Sequence, residues 1–449
     1  MSSSHTAPTR HSARRALLAI GFGHALEWYD WGIYAIFVPF FAPQFFHPGD
    51  DVSAVLSSLA VFAVGFVARP VGGLIVGRLA DRVGRRPMMA LTVGGMAAAS
   101  LLIGISPTYA TLGVGASVVL VLARVVQGLA TGGELPSAQT YLAEAAPAGR
   151  RGLWSSVIYL ASVGGNTVGV LLGLVLSVTL STAEMTGYGW RIPFLVGGVL
   201  GLVALWIRRS LEESEAFTRA AAADPAGRPR IWPEIVRHRR EAVQVVGLTV
   251  GFTVVYYAWV VAAPAYAISA LKIPPASALL AGVLSSLVLM AVLPAWGALS
   301  DRIGRRPVLL ISCLGTAVLL FPLQAMVHDA VRLGVAMAVA MVFIGAGVAI
   351  LPAAYAEMFP THIRAVGLAV PYSIAVAVFG GTAPYLQTWV GSTLGRPAFT
   401  GYLVALLAIS ALTVLTLREG RGSDLTGPGP AGTPPGREGE DHEPARPVR

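Results

Sequence analysis

The segment GRLADRVGRRP, from Gly77 to Pro87, occurs again as GALSDRIGRRP from Gly297 to Pro307, 220 positions further along the chain. The shared pattern G-x-L-x-D-R-x-G-R-R-P is much longer than a chance match, so we interpret one half of the chain as a copy of the other. Each copy closes a long apolar stretch and precedes another one. We therefore expect the shared aspartate and the three shared arginines to lie in a turn between two membrane helices.

The composition indicates a membrane protein independently of the repeat. Of the 449 residues, 55% are hydrophobic and 12% are charged, and the mean hydropathy is +0.68. A water-soluble core does not have this composition. Crossing a bilayer core of about 30 Å takes roughly 20 apolar residues. Twelve stretches meet this requirement and predict an all-α polytopic membrane protein: residues 16–41, 53–79, 88–106, 110–133, 153–180, 191–207, 242–270, 276–299, 308–326, 331–354, 368–394 and 397–416.

The distribution of basic residues predicts the orientation of the chain. The net charge is +9, and 26 of the 32 Lys and Arg residues lie on one side of the twelve predicted spans. Four lie on the other side, and Arg69 and Arg124 lie inside helices. This asymmetry follows the positive-inside rule and predicts a multi-pass protein of the cytoplasmic membrane with both termini in the cytoplasm. Membrane topology alone accounts for the positive net charge, so a DNA-binding function has little support.

One long polar loop divides the chain into two six-helix bundles. The predicted parts are a cytoplasmic segment 1–15, an N-terminal bundle 16–208, the loop 209–241, a C-terminal bundle 242–417 and a disordered cytoplasmic tail 418–449. The first apolar run is too long for a signal peptide, so we expect the first helix to be retained. Cys313 is the only cysteine, which excludes an intramolecular disulfide and a cysteine-rich metal site.

Charged side chains inside predicted helices are the most informative residues, because a charge at a helix centre costs ~2.5–3.5 kcal/mol on insertion scales. In the first helix, GFGHALEWYDWGIYAIFVPFF, Glu27 and Asp30 lie three residues apart and His24 precedes Glu27 by one turn. A rise of about 1.5 Å per residue places Glu27, Arg124 and Arg69 roughly 15–18 Å from their helix ends, near the midplane. We expect these acids and arginines to pair. A carboxylate that faces an arginine can exchange its proton for a substrate anion, whereas a permanent ion pair would only hold helices 1, 2 and 4 together.

Within this group, Glu27, Asp30 and Arg124 are the candidates for proton coupling or substrate binding. The Ala-Arg-Pro context of Arg69 suits a bend for helix packing at least as well.

Seven short motifs extend the description beyond the repeat. They are LEWYDW (Leu26–Trp31), GFVARPVGG (Gly65–Gly73), ARVVQGLATGGE (Ala123–Glu134), GWRIPF (Gly189–Phe194), RRSLEESEAF (Arg208–Phe217), AEMFP (Ala356–Pro360) and FGGTAP (Phe379–Pro384). In this order they resemble the signatures of the metabolite:proton symporters, a branch of the major facilitator superfamily with carriers for 2-oxoglutarate, citrate, shikimate, proline and betaine. The resemblance covers about residues 16 to 417. It implies a transporter with two pseudo-symmetric six-helix halves and a substrate site between them near the midplane.

The same resemblance gives the repeated loop a role in gating. In each loop the aspartate lies at a helix end, and an arginine follows four residues later. These groups can bond neighbouring helix termini or the glutamates after helices 4 and 10, and such contacts would favour one gate state. A loop that only anchors the topology explains the arginines but not the repeated aspartate and glycine. The candidate gating residues are Asp81, Arg85, Glu144, Asp301, Arg305 and Glu357.

One position departs from the branch, which usually has Asn where this chain has His24. The histidine adds a titratable group beside Glu27 and can shape the substrate site or add pH sensitivity; a neutral, hydrogen-bonded helix histidine is the alternative. Uncharged side chains can also hydrogen-bond to a substrate or pack on it in the cavity, although aromatic residues in membrane helices are often ordinary packing residues. These candidates are Gln127, Asn166, Tyr256, Tyr257, Trp259 and Tyr372.

The sequence predicts a secondary active transporter rather than an enzyme. We expect proton-coupled uptake of a small, carboxylated metabolite, with protons, that metabolite and the lipid bilayer as partners and no required oligomer. The chain has no P-loop, no metal-ligand spacing and no nucleophile with a positioned base, so no cofactor or metal is expected. Proton-coupled efflux antiport is an alternative, although LASVGGNTVGVLLG (Leu160–Gly173) lacks the central proline of that family's signature. A transporter-derived membrane sensor is a second alternative. Such sensors tend to have a large cytoplasmic extension, whereas the loop and the tail of this chain are short.

Overall fold

Long apolar runs form the helices of this computed structural model, which describes residues 10–47, 51–83, 85–132, 139–140, 142–143, 146–147, 149–210, 231–360 and 363–422. At residues 10–20, 51, 77, 80–83, 85–86, 89, 207–210, 231–232, 234 and 365–366 the description covers the backbone alone. The predicted gate residues Asp81, Arg85 and Glu144 therefore lie outside the described side chains. In the described part of the chain, ten helical segments are long and apolar enough to cross a membrane.

Six long helices form the N-terminal half. They are α1 (Arg10–Phe45), α2 (Asp51–Val83), α3 (Arg85–Ile105), α4 (Val114–Thr131), α5 (Arg151–Thr179) and α6 (Arg191–Ser210). Between α5 and α6, Ser181 and Glu184 form a capping box, and a π-helical turn follows at Met185–Gly189. This link lies where the fifth and sixth predicted stretches are separated.

Six further helices form the C-terminal half. They are α7 (Arg239–Tyr256, continued as Ala263–Ser269), α8 (Pro275–Ile303), α9 (Arg305–Met326), α10 (Ala330–Ala356), α11 (Arg364–Ala375, continued as Ala383–Thr393) and α12 (Arg396–Thr416). A short helix, Ile231–Arg237, precedes α7 within the predicted loop. With α1 and α3 added to the ten apolar segments, the described helices make the twelve spans that the sequence predicts.

Two of the predicted stretches are not continuous α-helices. In α7 the turn Tyr257–Val261 is π-helical, and in α11 the turn Val376–Gly380 is π-helical. Each π turn is followed closely by a proline, Pro264 or Pro384, whose ring cannot continue the regular ladder of backbone hydrogen bonds. The break widens both helices where they face the N-terminal half.

The two halves meet along α5 and α8. At the end that carries Arg151 and Arg305, which we call the arginine-rich end, a Cβ atom added to Gly297 would lie 2.6 Å from the carbonyl oxygen of Gly152. Nearer the opposite end, a Cβ atom on Gly173 would lie 3.5 Å from a methyl carbon of Leu279. The halves are therefore in contact at both ends of this helix pair, and glycine is needed for the first of these contacts.

Candidate transport site

The first helix holds the charged residues at the centre of the N-terminal half. His24, Glu27 and Asp30 are all buried, with exposures of 2%, 3% and 4%. The sequence places the two acids near each other on α1, but in the structure their side chains join different helices. They form two separate groups, which we call the interface cluster and the core cluster.

The interface cluster consists of His24, Glu27 and Arg69. Glu27 Oε1 lies 3.7 Å from Nη2 of Arg69 on α2, and Glu27 Oε2 lies 3.5 Å from Nδ1 of His24. Glu27 Oε2 and Arg69 Nε have no hydrogen-bond partner among the described residues. The pair is close but loosely bonded, so a proton or a ligand can compete for either member.

The hydrogen bond from Trp28 determines how His24 is oriented. The indole Nε1 of Trp28 donates to Nε2 of His24 at 3.1 Å. An indole nitrogen is a donor only, so Nε2 must accept, and the proton of the neutral imidazole is on Nδ1, toward Glu27. A doubly protonated His24 would place an N–H group against the indole N–H. In this arrangement Nε2 of His24 accepts from Trp28, and Nδ1 lies toward Glu27.

The core cluster consists of Asp30, Ser100, Arg124 and Gln127. Asp30 accepts hydrogen bonds from the hydroxyl of Ser100 on α3 and, at 2.5 Å, from Nε2 of Gln127 on α4. Arg124 donates to the amide oxygen of Gln127 at 2.7 Å. Arg124 makes no direct ion pair with either carboxylate; it reaches Asp30 through Gln127.

Aromatic rings surround both interior arginines. The guanidinium carbon of Arg124 lies 4.2 Å from the ring centre of Trp31 and 4.1 Å from that of Tyr34. The guanidinium carbon of Arg69 lies 4.0 Å from the same Trp31 ring. Cation–π contacts of this kind stabilise a desolvated arginine by about 2 kcal/mol. Trp31 thus links the two clusters. Arg124 is fully buried, whereas 12% of the Arg69 side chain remains exposed.

A small central cavity lies between the halves. Its volume is about 20 Å³, which is enough for a water molecule but not for a metabolite. Trp28 of the N-terminal half faces it, and its ring stacks on Tyr257 of α7 with centres 5.9 Å apart. The lining residues are Trp28, Tyr159, Thr249, Phe252, Thr253, Tyr256, Tyr257, Val348, Leu351, Tyr355 and Tyr372.

The uncharged candidates from the sequence divide into two groups. Tyr256, Tyr257 and Tyr372 line the cavity, and Gln127 belongs to the core cluster. Trp259 and Asn166 are buried but are not among the lining residues. Asn166 lies against Gly32 of α1, where a Cβ atom would come within 2.3 Å of its side-chain oxygen. Asn166 therefore occupies a helix contact within the N-terminal half.

A second polar group, which we call the end network, joins the halves at the arginine-rich end. Asp301 of α8 accepts hydrogen bonds from the backbone N–H groups of Gly152 and Leu153, at 2.8 and 2.9 Å. The N–H groups in the first turn of α5 have no acceptor within the helix, and a negative charge beside them is favourable. Arg305 bonds to Asp301 at 2.8 Å and to both oxygens of Glu357 at 3.1 and 3.2 Å. Arg151 of the N-terminal half completes the network at 3.1 Å from Glu357.

The chain beyond α12 also contacts this network. The two carboxylate oxygens of Glu419 accept hydrogen bonds from the backbone N–H groups of Arg305 and Arg306, at 2.8 and 3.1 Å. Gly304 just before them has a positive φ of 104°, which glycine adopts without strain. Contact with the bundle thus extends to Glu419, inside the segment predicted as a tail.

The structure brings together most of the predicted residues but also adds others. Asp301, Arg305 and Glu357 form one network, while Arg69, which the sequence places equally well in a packing bend, faces Glu27. Sequence reasoning did not select Ser100, Trp28, Arg151 or Glu419. Trp28 lies inside the motif LEWYDW, whereas Ser100, Arg151 and Glu419 lie in none of the motifs noted above. Among the described residues, no group of three or more His, Cys, Asp or Glu side chains is placed to hold a metal ion.

Comparison with known proteins identifies the family. Residues 20–370 match the family model of the Major Facilitator Superfamily, and residues 245–445 give an overlapping match. The chain belongs to the major facilitator superfamily. This confirms the predicted all-α fold of twelve spanning helices in two halves.

Relatives within the major facilitator superfamily agree with the branch that the motifs indicate. The alpha-ketoglutarate permease of Escherichia coli (strain K12) is 34% identical over 427 residues, covering 93% of this chain and 97% of the permease. The proline/betaine transporter of Salmonella typhimurium (strain LT2) is 32% identical over 437 residues, covering 93% of this chain and 86% of the transporter. These relatives are permeases and transporters rather than enzymes, as predicted for this chain.

Solved structures of the superfamily show the same architecture. A crystal structure of a D-xylose-proton symporter aligns with a TM-score of 0.71 at 18% identity, covering 91% of this chain and 98% of the symporter. A partially occluded, inward-open structure of the E. coli xylose transporter gives a TM-score of 0.68 at 18% identity, covering 92% and 99%. At this identity the likeness establishes the fold alone. The family match together with the apolar helices makes the chain a multi-pass membrane protein of this superfamily.

Proposed function

We propose that this protein is a proton-coupled symporter that takes up a small carboxylated metabolite by alternating access. The proposal includes an orientation in which the arginine-rich end and both termini face the cytoplasm. The substrates in the names of the two relatives above, alpha-ketoglutarate and proline or betaine, all carry a carboxylate.

The observation that carries the proposal is the loose pair of Glu27 and Arg69 beside the contact between the halves. At 3.7 Å the pair is too long for a strong hydrogen bond, yet two opposite charges at this distance attract by about 4 kcal/mol at an effective dielectric constant of about 20. Protonation of Glu27 removes that attraction and leaves Arg69 needing an anion. A substrate carboxylate satisfies this need, so proton binding and substrate binding favour each other.

The core cluster supports this exchange but does not bind the substrate carboxylate. Asp30 is held by Ser100 and Gln127, and Gln127 in turn holds Arg124. Both arginines contact the ring of Trp31. We infer that Asp30 and Arg124 position Trp31 and Arg69, and that Asp30 provides a second site for the transported proton.

The end network has the geometry of a gate. Asp301, on the C-terminal half, binds the first turn of α5 on the N-terminal half, and Arg151 and Glu357 form a second link between the halves. Breaking both links is required before the halves can separate at this end. We propose that this network stabilises the state closed to the cytoplasm and that it opens once substrate and proton are bound.

Uptake into proteoliposomes with an imposed proton gradient tests the proposed function. The panel contains mono-, di- and tricarboxylates, betaines and aromatic acids, each measured with the gradient inward, outward and collapsed. Symport predicts accumulation of at least one carboxylate only with the inward gradient. Expulsion of a preloaded compound in exchange for incoming protons would instead establish antiport, and uptake insensitive to the gradient would contradict proton coupling.

A further inference from the structure

A second cavity, which we call the end cavity, lies at the arginine-rich end of the C-terminal half. Its volume is about 440 Å³, within the range of about 300–1,000 Å³ that is typical of small-molecule sites. Its walls are the start of α7, the start of α9, the end of α10 and the end of α12. All four helices belong to the C-terminal half. The end cavity is therefore separate from the central cavity, which lies between the halves.

Side chains of the lining residues hold the walls of the end cavity together. Nε2 of Gln244 donates to the backbone oxygen of Thr416 at 3.1 Å, which joins α7 to α12. Nη2 of Arg306 donates to the backbone oxygen of Leu415 at 3.1 Å, which joins α9 to α12. The end network already joins α9 to α10. The end cavity thus has fixed walls, as preformed ligand sites usually do.

The charges on the lining residues favour an anion. Four of these residues are arginines and two are glutamates. Arg305 and Glu357 are bonded to each other within the end network. The other three arginines are Arg240 at the start of α7, Arg306 on α9 and Arg418 just beyond α12, and they face a single glutamate of α7. With histidine counted as neutral, the lining has an excess of two positive charges, and three separate elements contribute them.

The chain itself holds one anion at the edge of the end cavity. The carboxylate of Glu419, between the lining residues Arg418 and Gly420, accepts hydrogen bonds from the backbone N–H groups of Arg305 and Arg306. Its charge offsets one of the two excess positive charges. Nε of Arg306 is buried and has no hydrogen-bond partner among the described residues. The edge of the cavity thus binds a carboxylate, and one positive charge remains for a further anion.

We propose that the end cavity binds the phosphate monoester group of a cellular anion. Such a group carries about two negative charges and three acceptor oxygens, so it can bond to Arg240, Arg306 and Arg418 together, which one carboxylate cannot do. In the proposed orientation the end cavity faces the cytoplasm and the inner leaflet, where the phosphate can belong to a soluble metabolite or to an anionic lipid. The site lies against Arg305 and Glu357 of the gate and outside the transport path.

Binding to the purified full-length protein, without substrate and without a gradient, tests this proposal. The soluble probe is glycerol 3-phosphate, measured by calorimetry in neutral detergent, with glycerol as its control. The lipid probe is phosphatidic acid, whose retention is measured by native mass spectrometry against phosphatidylcholine. Saturable binding of glycerol 3-phosphate assigns the site to a soluble phosphate ester, and retention of phosphatidic acid alone assigns it to a lipid headgroup. Binding of neither probe overturns the proposal.

A double variant tests whether the probe binds in the end cavity. Arg240→Gln combined with Arg306→Gln should weaken binding by about tenfold or more, because both guanidinium groups form charge-assisted hydrogen bonds to the phosphate. Arg150→Gln combined with Arg302→Gln is the matched control. It removes two exposed arginines of the same end that do not line the cavity, and affinity should stay within about twofold.

Equal losses of affinity in the two double variants would show a general attraction to the positive face of the protein and would overturn the site. Arg240→Gln alone separates binding from folding, because it leaves the hydrogen bond from Arg306 to Leu415 in place. This single variant should melt like the wild type and still bind the probe more weakly. Unchanged affinity in Arg240→Gln would contradict the part that α7 plays in the site.

Discussion

The two polar regions of this transporter differ in how fully their groups are bonded. In the end network all four carboxylate oxygens of Asp301 and Glu357 accept hydrogen bonds of 2.8–3.2 Å. In the interior clusters, by contrast, Glu27 has contacts of only 3.5 and 3.7 Å, and two nitrogens of Arg124 lack a partner among the described residues. A network in which every polar group is hydrogen-bonded stabilises one conformation of the protein. Unsaturated groups in a dry interior are costly unless a proton or ligand completes them.

The largest effect is expected where the two halves touch in the end network. In a Gly297→Val variant the added Cβ atom would meet the backbone of Gly152 and Leu153 at 2.6 and 2.9 Å, and backbone cannot move aside. The halves cannot then close at this end, and turnover should fall more than a hundredfold. Gly401→Val is the control, because a Cβ atom there meets nothing within 4 Å. Transport rates are measured by uptake at equal protein amounts. Similar rates in the two variants would show that close contact at Gly297 is not needed for transport.

Replacing each interior arginine by lysine compares the two clusters. Arg69→Lys keeps the charge but loses the planar fork that matches a carboxylate, so apparent substrate affinity should fall tenfold to a hundredfold, or ~1.4–3 kcal/mol. Arg124→Lys should instead lower thermal stability, because Arg124 is caged by rings and holds Gln127. Binding isotherms measure the affinity of both variants, and melting curves measure their thermal stability. If affinity falls only in Arg124→Lys, the substrate carboxylate is bound by the core cluster.

Neutralising the gate aspartate should change rates more than affinities. Asp301→Asn keeps the shape but weakens the bonds to the first turn of α5 and to Arg305, so conversion between the two gate states should change about tenfold while binding stays within threefold. By the internal repeat we expect the same direction for Asp81→Asn. Single-turnover exchange and equilibrium binding measure the two quantities. Unchanged turnover with a large loss of affinity would assign Asp301 to the substrate site instead.

The smallest effects are expected from two truncations that test the contact between Glu419 and the end network. A chain that ends after Arg421 keeps Glu419 and should transport like the full protein. A chain that ends after Leu417 loses both hydrogen bonds that Glu419 accepts from the backbone N–H groups at the start of α9, and its turnover should change by about twofold to fivefold. Glu419→Gln should fall between them. Equal turnover in both truncations would show that the contact is dispensable.

Sequence reasoning was effective for finding the helices and the charges buried inside them, and less so for the direction that a side chain takes around its helix. Apolar length predicted the twelve helices, and spacing along α1 placed Glu27 and Asp30 in the buried interior. The rise per residue does not say which neighbouring helix a side chain faces. For that reason the pairing of Glu27 with Arg69 and the link from Arg124 through Gln127 to Asp30 emerged only from the packing of α1, α2, α3 and α4. The π turns of α7 and α11 were missed because apolar composition continues through them.

The central claim is that Glu27 carries the proton that drives accumulation. Glu27→Gln imitates the protonated side chain, so it should still bind substrate and exchange it across the membrane without a gradient. The direct measurement compares this exchange with gradient-driven accumulation in the same proteoliposomes, with Glu184→Gln, at an exposed capping box, as the control. We predict that Glu27→Gln retains exchange and loses accumulation, while the control keeps both. Accumulation at the wild-type level in Glu27→Gln would contradict this account.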